Sequence, residues 1–207
     1  MYALYWNTTG VENTASGADA LNVNSTGSWN TAYGAQALTR NTTGDFNVAC
    51  GYGAQQFSKT GSNNVAIGYD SLRSNKSSGA NTGVGSGTLR LCSGVENVAV
   101  GVHAMSLGET GDFNVAVGAS ALKNTVGNYN TAVGHGALEN NSGSESTAVG
   151  HKALFNSSGG YNTAIGTFSL QDATTGAGNI GVGGESSSGI YTPVFTATIE
   201  NDRIAMG

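Results

Sequence analysis

The chain has 207 residues, with 33 Gly, one Pro and 21 charged side chains, eight of them Lys or Arg and thirteen Asp or Glu. This composition is poor in the Leu, Lys and Glu of helical domains, which excludes a conventional helical or α/β enzyme. The net charge is −5 and the basic residues are scattered singly, so no basic stripe suits a row of phosphates and we expect no nucleic-acid partner.

A short pattern recurs every 16 or 17 residues: Asn, a β-branched residue, a small residue, usually an apolar residue, and Gly. With this Asn as position one, position two is β-branched in all eleven repeats, position three is Ala or Gly, and position five is always Gly. Position eight is mostly Ala and position nine is mostly Leu, and a second Gly stands three residues before the next repeat. The repeats begin at Asn13, Asn30, Asn47, Asn64, Asn81, Asn97, Asn114, Asn130, Ser146, Asn162 and Asn179.

A repeat of this length is too short to contain a helix but accommodates two short strands and two turns. The sequence therefore predicts an all-β fold, a parallel β-roll or β-helix solenoid of 16–17-residue coils over residues 1–183. Ten coils at about 4.8 Å each make a rod of about 50 Å.

The two faces of the predicted strand differ sharply in side-chain size. Because side chains alternate along a strand, positions two and four share one face and positions three and five share the other. β-Branched residues pack well on a pleated surface, so we predict that positions two and four point into the coil, opposite the Leu of position nine. The Ala and Gly face is then expected to contact an identical neighbouring chain. This orientation also argues against ice binding by the Thr side chains of position two.

The corners of the coil are predicted at the Asn of position one and at the Gly before it. Both residue types tolerate positive φ, and stacked Asn amides can hydrogen-bond along the rod. Cys50 and Cys92 lie two repeats apart at different positions of the repeat, so we expect two free thiols.

The two ends depart from the regular repeat. Residues 3–10 match the second half of a repeat, so we expect the chain to begin in mid-coil, as a piece of a longer fibre would. Residues 184–207 form a different, C-terminal tail with β character, in which a hairpin involving Arg203 to Met206 is expected to cap the coils or link to a downstream domain.

These motifs resemble those of bacteriophage tail fibres. The coils of the type Asn-Thr-Ala-Val-Gly, with Ala-Leu and Asn-Thr-Thr-Gly, carry the resemblance over about residues 3–183. The Val-Ala-Ile-Gly of Val65 to Gly68 is similar to the head repeats of trimeric autotransporter adhesins, although that family uses a shorter coil. The tail from Phe195 resembles the stretch before a self-cleaving chaperone domain in endosialidase-type phage fibres. The resemblance implies a homotrimer of left-handed β-rolls, a virion or extracellular location, and contact with a host surface.

An aromatic residue often precedes position one and marks a candidate glycan contact, because exposed rings can stack on sugars. The alternative is that these rings pack at a corner or between chains, since aromatic ladders stabilise β-stacks by themselves. The sequence predicts that neighbouring members stack along the rod. The residues are Trp29, Phe46, Phe113, Tyr129 and Tyr161.

His135 and His151 share position six in consecutive coils, which predicts rings about 4.8 Å apart. They are weak candidates for metal ligation, because no carboxylate at matching spacing completes a ligand set, and a plain surface role is the simpler interpretation. We therefore expect no metal site and no cofactor. His103 stands alone at position seven.

The acidic residues give no indication of catalysis. A glycosidase needs two carboxyl groups a few ångströms apart. Glu12, Glu96 and Glu145 share one position but lie several coils apart, and Asp45 and Asp112 are equally isolated. We expect no enzymatic activity.

The polar loops after position nine, including Thr39 to Thr43, Arg73 to Ser78 and Glu139 to Ser142, are solvated turns or glycan contacts. Altogether the sequence predicts a structural and adhesive fibre segment, resembling a phage tail fibre, that associates with itself and positions or contributes to receptor binding at a host-surface glycan or protein. A bacterial trimeric adhesin head is the alternative, and a polysaccharide depolymerase is a weaker one. No apolar run approaches the roughly 20 residues that span a bilayer, so no membrane insertion is expected.

Overall fold

The computed structural model describes residues 2–107, 111–172 and 175–184, and the backbone of residues 195–198. Within these ranges the chain is all-β and contains no helix, and it winds into a parallel β-solenoid of about ten turns. The predicted fold class is therefore confirmed at this level.

Fourteen short strands carry the regular structure of the described residues. They are β1 (Thr14–Ser16), β2 (Thr31–Tyr33), β3 (Val48–Cys50), β4 (Val65–Ile67), β5 (Thr82–Val84), β6 (Val98–Val100), β7 (Val115–Val117), β8 (Thr131–Val133), β9 (Asn140–Asn141), β10 (Thr147–Val149), β11 (Asn156–Ser157), β12 (Thr163–Ile165), β13 (Asn179–Val182) and β14 (Phe195–Thr198).

One sheet, parallel except for its last strand β14, runs the length of the rod. It contains every strand except β9 and β11, which pair with each other in parallel. Equivalent repeat positions are in register from strand to strand, as Thr14 with Thr31 and Val115 with Thr131 show. The positions two to four of each repeat thus form the ladder that the pattern predicts.

The orientation of this sheet is the reverse of the predicted one. The Ala residues of position three, such as Ala99, Ala116 and Ala132, have no exposed surface and line the inside of the coil. Their neighbours at positions two and four point outward, with Val115 and Val117 exposed by 37% and 38%. The prediction that the β-branched residues form the core was wrong, and so was the prediction that the small-residue face contacts a second chain.

The interior is narrow, which explains why the smallest residues face it. Ala116 shares its coil interior with the Ala of position eight and the Leu of position nine, represented by Ala121 and Leu122, both fully buried. The placement of the position-nine side chain in the core is thus confirmed. Burying a Leu stabilises a fold by about 1.5–3 kcal/mol, so this column carries much of the apolar burial of each coil.

Side-chain volumes at positions three and eight compensate for each other. Where position three is Gly83, the two adjoining position-eight residues are Ser71 and Thr88 instead of Ala. A Cβ atom on Gly83 would lie 2.7 Å from Ser71 Oγ and 2.9 Å from Thr88 Oγ1. Gly181 shows the same relation, because its Cβ would lie 2.9 Å from Ser169 Oγ. The two positions therefore fill one shared space inside the coil.

The Asn of position one forms the predicted hydrogen-bonded ladder. Asn47 donates its backbone N–H and its side-chain Nδ2 to Asn30 Oδ1, each at 3.0 Å. Its Nδ2 also donates to the carbonyl oxygen of Gly61 at 2.8 Å, which ties the start of the coil to its end. Because these amides are fully buried, each bond satisfies a polar group that water cannot reach.

The corner residues differ from the predicted ones. Positive φ occurs not at the Asn but at the residue before it, for example at Trp29 with φ 56°. The Gly that closes the repeat is required for close approach, since a Cβ on Gly27 would lie 2.4 Å from the carbonyl oxygen of Gly44. The Gly of position five is required for both reasons, as Gly118 shows with φ 132° and a Cβ position 2.5 Å from the carbonyl oxygen of Gly134.

The described part of the tail pairs with the last coil. Strand β14 runs antiparallel to β13, with Thr198 opposite Asn179 and Phe195 opposite Val182. The predicted hairpin partner Arg203 to Met206 lies outside the described residues.

Candidate functional site

The predicted aromatic ladder lies on the outer surface. Trp29 stacks on Phe46 with ring centroids 4.8 Å apart and planes 1° from parallel. Phe113 and Tyr129 stack in the same way at 4.9 Å and 1°. All four rings are exposed, as is that of Tyr161. The structure thus groups these candidates into two stacked pairs and leaves Tyr161 apart from them.

The two position-six imidazoles lie next to each other on the surface. The rings of His135 and His151 have centroids 5.4 Å apart and are tilted by 41°. His151 also meets the ring of Phe168 edge-on at 4.8 Å. Across the described residues, no three His, Cys, Asp or Glu side chains come together as metal ligands would.

The acidic residues at the corners accept hydrogen bonds from backbone N–H groups or from a neighbouring side chain. Asp45 Oδ1 accepts a hydrogen bond from Ser28 N at 2.7 Å, and Asp112 Oδ1 accepts one from Val95 N at 2.8 Å. Glu12 Oε2 accepts a bond of 2.9 Å from Trp29 Nε1. These bonds give the corner carboxylates a structural role.

Both cysteines are free, as expected from their spacing, but their environments differ. Cys50 is exposed on the outer face of β3, whereas Cys92 is fully buried. Burial raises the pKa of the Cys92 thiol to about 11, against the weaker opposing effect of a hydrogen bond to Gly94. Cys92 therefore stays protonated and unreactive at neutral pH.

The outward face of the main sheet is a long apolar ladder. It consists of positions two and four, and we call it the outer ladder. In its central coils Val98, Val100, Val115 and Val117 are each exposed by 37% or 38%. Thr131, Thr147 and Thr163 interrupt position two further along, while position four remains Val or Ile. Equivalent positions of neighbouring strands are in register along the ladder.

Polar loops form two shallow depressions. One of about 310 Å³ is lined by parts of the predicted Arg73 to Ser78 loop and by Leu91. Another of about 210 Å³ lies between the Asn140 to Ser142 segment and the equivalent loop one coil further on. Both are lined mainly by Ser and Asn side chains.

A third depression was missed by the sequence analysis. We call it the corner cleft, a volume of about 310 Å³ on the outside of four consecutive coils. It combines an aromatic ring, one carboxylate and three basic side chains. The lining residues are Tyr69, Asp70, Ser86, Gly87, Arg90, His103, Ser106, Leu107 and Lys123.

A signal for this cleft exists in the repeat numbering. Arg73, Arg90 and Lys123 all occupy position ten of their coils, so three of the chain's eight basic residues share one edge of the rod. Asp70 and His103 both occupy position seven, next to that edge. Aligning basic residues by repeat position would have brought them together.

The geometry defines a parallel β-solenoid with an outer apolar ladder and one mixed polar and aromatic cleft. Comparison with protein-family models, with curated proteins and with solved structures finds no match for the chain. The described residues include no helix with the length and apolar character needed to cross a membrane.

Proposed function

We propose that the chain is a structural and adhesive fibre segment that assembles as a homotrimer of β-rolls with 16–17-residue coils. In this proposal the rolls are left-handed, as the resemblance to phage tail fibres and trimeric adhesins implies. The segment belongs to a virion tail fibre or another extracellular surface, where it positions or contributes to receptor binding on a host.

The observation that carries the proposal is the outer ladder. Val98, Val100, Val115 and Val117 leave over a third of their surfaces exposed, in consecutive coils and on one face of the sheet. A continuous apolar face of this kind marks an interaction surface, because water solvates it poorly. The ladder is about 50 Å long, so an identical rod aligned alongside matches it coil for coil.

The proposed partner is an identical chain, as the sequence predicts, but the proposed interface is the outer ladder instead of the Ala and Gly face. The Ala and Gly face is occupied by the chain's own core. The outer ladder supports self-association because it repeats Val or Ile with the coil spacing and carries no charge among its strand residues. Three such faces meeting around one axis bury all three ladders at once, which a cyclic assembly favours.

Adhesion is supported by the exposed aromatic rings that lie off the outer ladder. The stacked rings of Trp29 and Phe46 and those of Phe113 and Tyr129 offer flat apolar surfaces for a host glycan or protein. In a trimer each surface occurs three times, so weak contacts add by avidity.

The solution mass of the chain tests the proposal. Light scattering is expected to give three times the chain mass of 20.8 kDa. Val117→Lys places an ammonium group in the buried interface, so this variant is expected to be monomeric while its circular dichroism is unchanged. Val102→Lys is the matched control, since Val102 is 50% exposed but lies at position six, off the ladder. A monomeric wild type, or a Val117→Lys variant with trimeric mass, contradicts the proposal.

The outward orientation also supports a second candidate, ice binding. The Thr side chains of position two point out of the coil, and Thr131, Thr147 and Thr163 follow one another in adjacent coils. Their spacing of about 4.8 Å forms a regular hydroxyl row. Thermal hysteresis measured on the purified chain tests this candidate, and its absence rules the candidate out.

Two alternatives to the tail fibre share the same fold. In the first alternative the chain is the head of a bacterial trimeric adhesin instead of a phage fibre. A signal peptide and a membrane anchor in the full-length gene would decide for it. A polysaccharide depolymerase requires release of reducing sugar from host polysaccharide, and the isolated corner carboxylates Glu12, Asp45 and Asp112 argue against it.

A further inference from the structure

We propose that the corner cleft binds a saccharide that carries a carboxylate group. The cleft lies on positions six, seven, ten and eleven of the coils, off the outer ladder, so this site does not depend on trimer formation. It also differs from the stacked aromatic pairs at the position before the Asn.

The aromatic wall of the cleft is the ring of Tyr69. This side chain is 58% exposed. Its ring is stacked on that of Tyr52 in the preceding coil, with centroids 5.8 Å apart and planes 11° from parallel. This stack fixes the orientation of the Tyr69 ring, so a ligand that binds its exposed face does not have to order the side chain. A rigid aromatic face beside polar groups suits a sugar ring, which has an apolar C–H face and polar edges.

The charge that selects an acidic sugar comes from Arg90. Among the described residues the ion pairs join Arg73 with Asp70 and Lys123 with Glu139, so the half-buried Arg90 has no carboxylate within 4.0 Å. A guanidinium with free N–H donors at the edge of a cleft binds carboxylates through two parallel hydrogen bonds.

Two further cationic or polar side chains strengthen this preference. Lys123 lies on the same edge, and its Nζ is 3.7 Å from Glu139 Oε1, a loose pair at the surface. His103 also lines the cleft, and an imidazole ring can hydrogen-bond to hydroxyl groups. The cleft therefore concentrates positive charge in a chain whose net charge is −5.

The carboxylate of Asp70 makes a sugar a better ligand than a simple anion. Its Oδ1 lies 3.5 Å from Arg73 Nε, but that N–H donates to Gln56 Oε1 at 2.9 Å instead. Asp70 lines the cleft and is 5% exposed, so a carboxylate already lies beside the place where an anion would bind, which disfavours a compact dianion such as sulfate. A saccharide accommodates both signs, because its hydroxyls face Asp70 while its carboxylate faces Arg90.

The floor of the cleft depends on a missing side chain. Gly87 separates Asp70 from His103 in the position-seven column, and its φ of 65° matches the 52° and 57° of those two residues. A side chain is therefore conformationally acceptable at position 87 and would project into the cleft, where its Cβ meets His103 Nδ1 at 2.6 Å. Gln36 already stands at this position of its own coil with φ 61°.

Isothermal titration with 3′-sialyllactose and with trigalacturonic acid tests the proposal, with lactose and the methyl ester of trigalacturonic acid as neutral counterparts. The expected result is binding of at least one acidic saccharide and at least tenfold weaker binding of its neutral counterpart. Arg90→Gln is expected to weaken binding about tenfold or more, since it removes a charge-assisted bidentate contact. Tyr69→Ala and Gly87→Gln are expected to weaken it at least fivefold.

Three matched controls separate the cleft from general effects. Arg40→Gln removes the same charge from a side chain that packs on Phe57, Tyr2→Ala removes an equally exposed ring, and Gly136→Gln fills the same column three coils beyond Gly87. All three are expected to bind like the wild type and to melt at similar temperatures.

Absence of binding by both acidic saccharides overturns the proposal. Equal binding of acidic and neutral saccharides overturns the role of Arg90. Binding that sulfate abolishes and that Tyr69→Ala leaves unchanged identifies an anion site without saccharide recognition, which also overturns it. Light scattering on the same samples reports the trimer independently, so failure at the cleft and failure of the fibre assembly are distinguishable.

Discussion

The inward orientation of position three predicts that Ala116→Leu destabilises the coil itself. Ala116 is fully buried between Ala99 and Ala132 of the neighbouring coils. Leu adds three carbon atoms to a coil interior that already holds the fully buried Ala121 and Leu122. Overpacking of a rigid core costs about 1–3 kcal/mol, and the narrow interior favours the upper end. For a chain of this length that lowers Tm by about 6–12 °C.

Val117→Leu is the matched outward substitution. Val117 is adjacent in sequence to Ala116 but is 38% exposed, so its enlargement is expected to change stability by no more than about 0.5 kcal/mol. Thermal unfolding followed by circular dichroism compares the two variants, and light scattering shows whether either changes the mass. If Ala116→Leu melts like the wild type and Val117→Leu is the destabilised variant, the strand faces are oriented the other way and the reasoning is refuted.

Three other substitutions test the interior. Leu122→Ala empties a fully buried position and is expected to cost about 2–5 kcal/mol in chemical unfolding. Gly83→Ala is expected to lower the free energy of unfolding by about 1–3 kcal/mol, and adding Ser71→Ala and Thr88→Ala should restore most of that loss. If the triple variant does not recover stability, positions three and eight do not share one space. Burial raises the pKa of the Cys92 thiol to about 11. The contribution of the protonated thiol to the free energy of unfolding is therefore complete below about pH 8.5 and is lost as the pH rises to 11. Relative to Cys92→Ser, the wild type should lose about 3 kcal/mol over that range, and parallel stability curves would contradict this assignment.

The repeat made much of the fold predictable. An invariant Gly at position five and β-branched residues at position two locate each strand, and the constant repeat spacing predicts parallel pairing in register. The Asn ladder follows from the same spacing, since an amide repeated at one corner meets its copy in the next coil, as Asn47 meets Asn30. These features depend on local sequence and on repetition, both of which are visible without a structure.

The direction of the strand faces was not predictable from side-chain alternation. A period of two separates Val115 and Val117 from Ala116, but it does not say which set is enclosed. The general preference of bulky apolar residues for the core favoured the valines. That preference does not determine which face is enclosed, because the narrow coil interior already holds the Leu of position nine. The exchange of Ala for Gly at position 83, beside Ser71 and Thr88, was the signal that position three shares the interior.

The corner cleft was missed for a different reason. Its residues come from four coils, and Tyr69 and Lys123 are 54 positions apart in the sequence, as the difference of their numbers shows. No local motif connects them. Only the repeat numbering places Arg90 and Lys123 on one edge, and the gap at Gly87 becomes a cleft only when His103 and Asp70 lie on either side of it.

The reversed orientation changes how association can be disrupted. If the Ala face had been the interface, enlarging Ala116 would have separated folded chains. With Ala116 inside the coil, that substitution acts on folding, and any loss of assembly follows from the loss of structure. The outer ladder instead separates the two effects, because Val117 lies outside the buried core and is 38% exposed on the outer face. A polar substitution there removes the hydrophobic contribution to association while the Leu column and the Asn ladder continue to hold each coil. Folding and assembly in this chain therefore depend on opposite faces of the same three-residue strand.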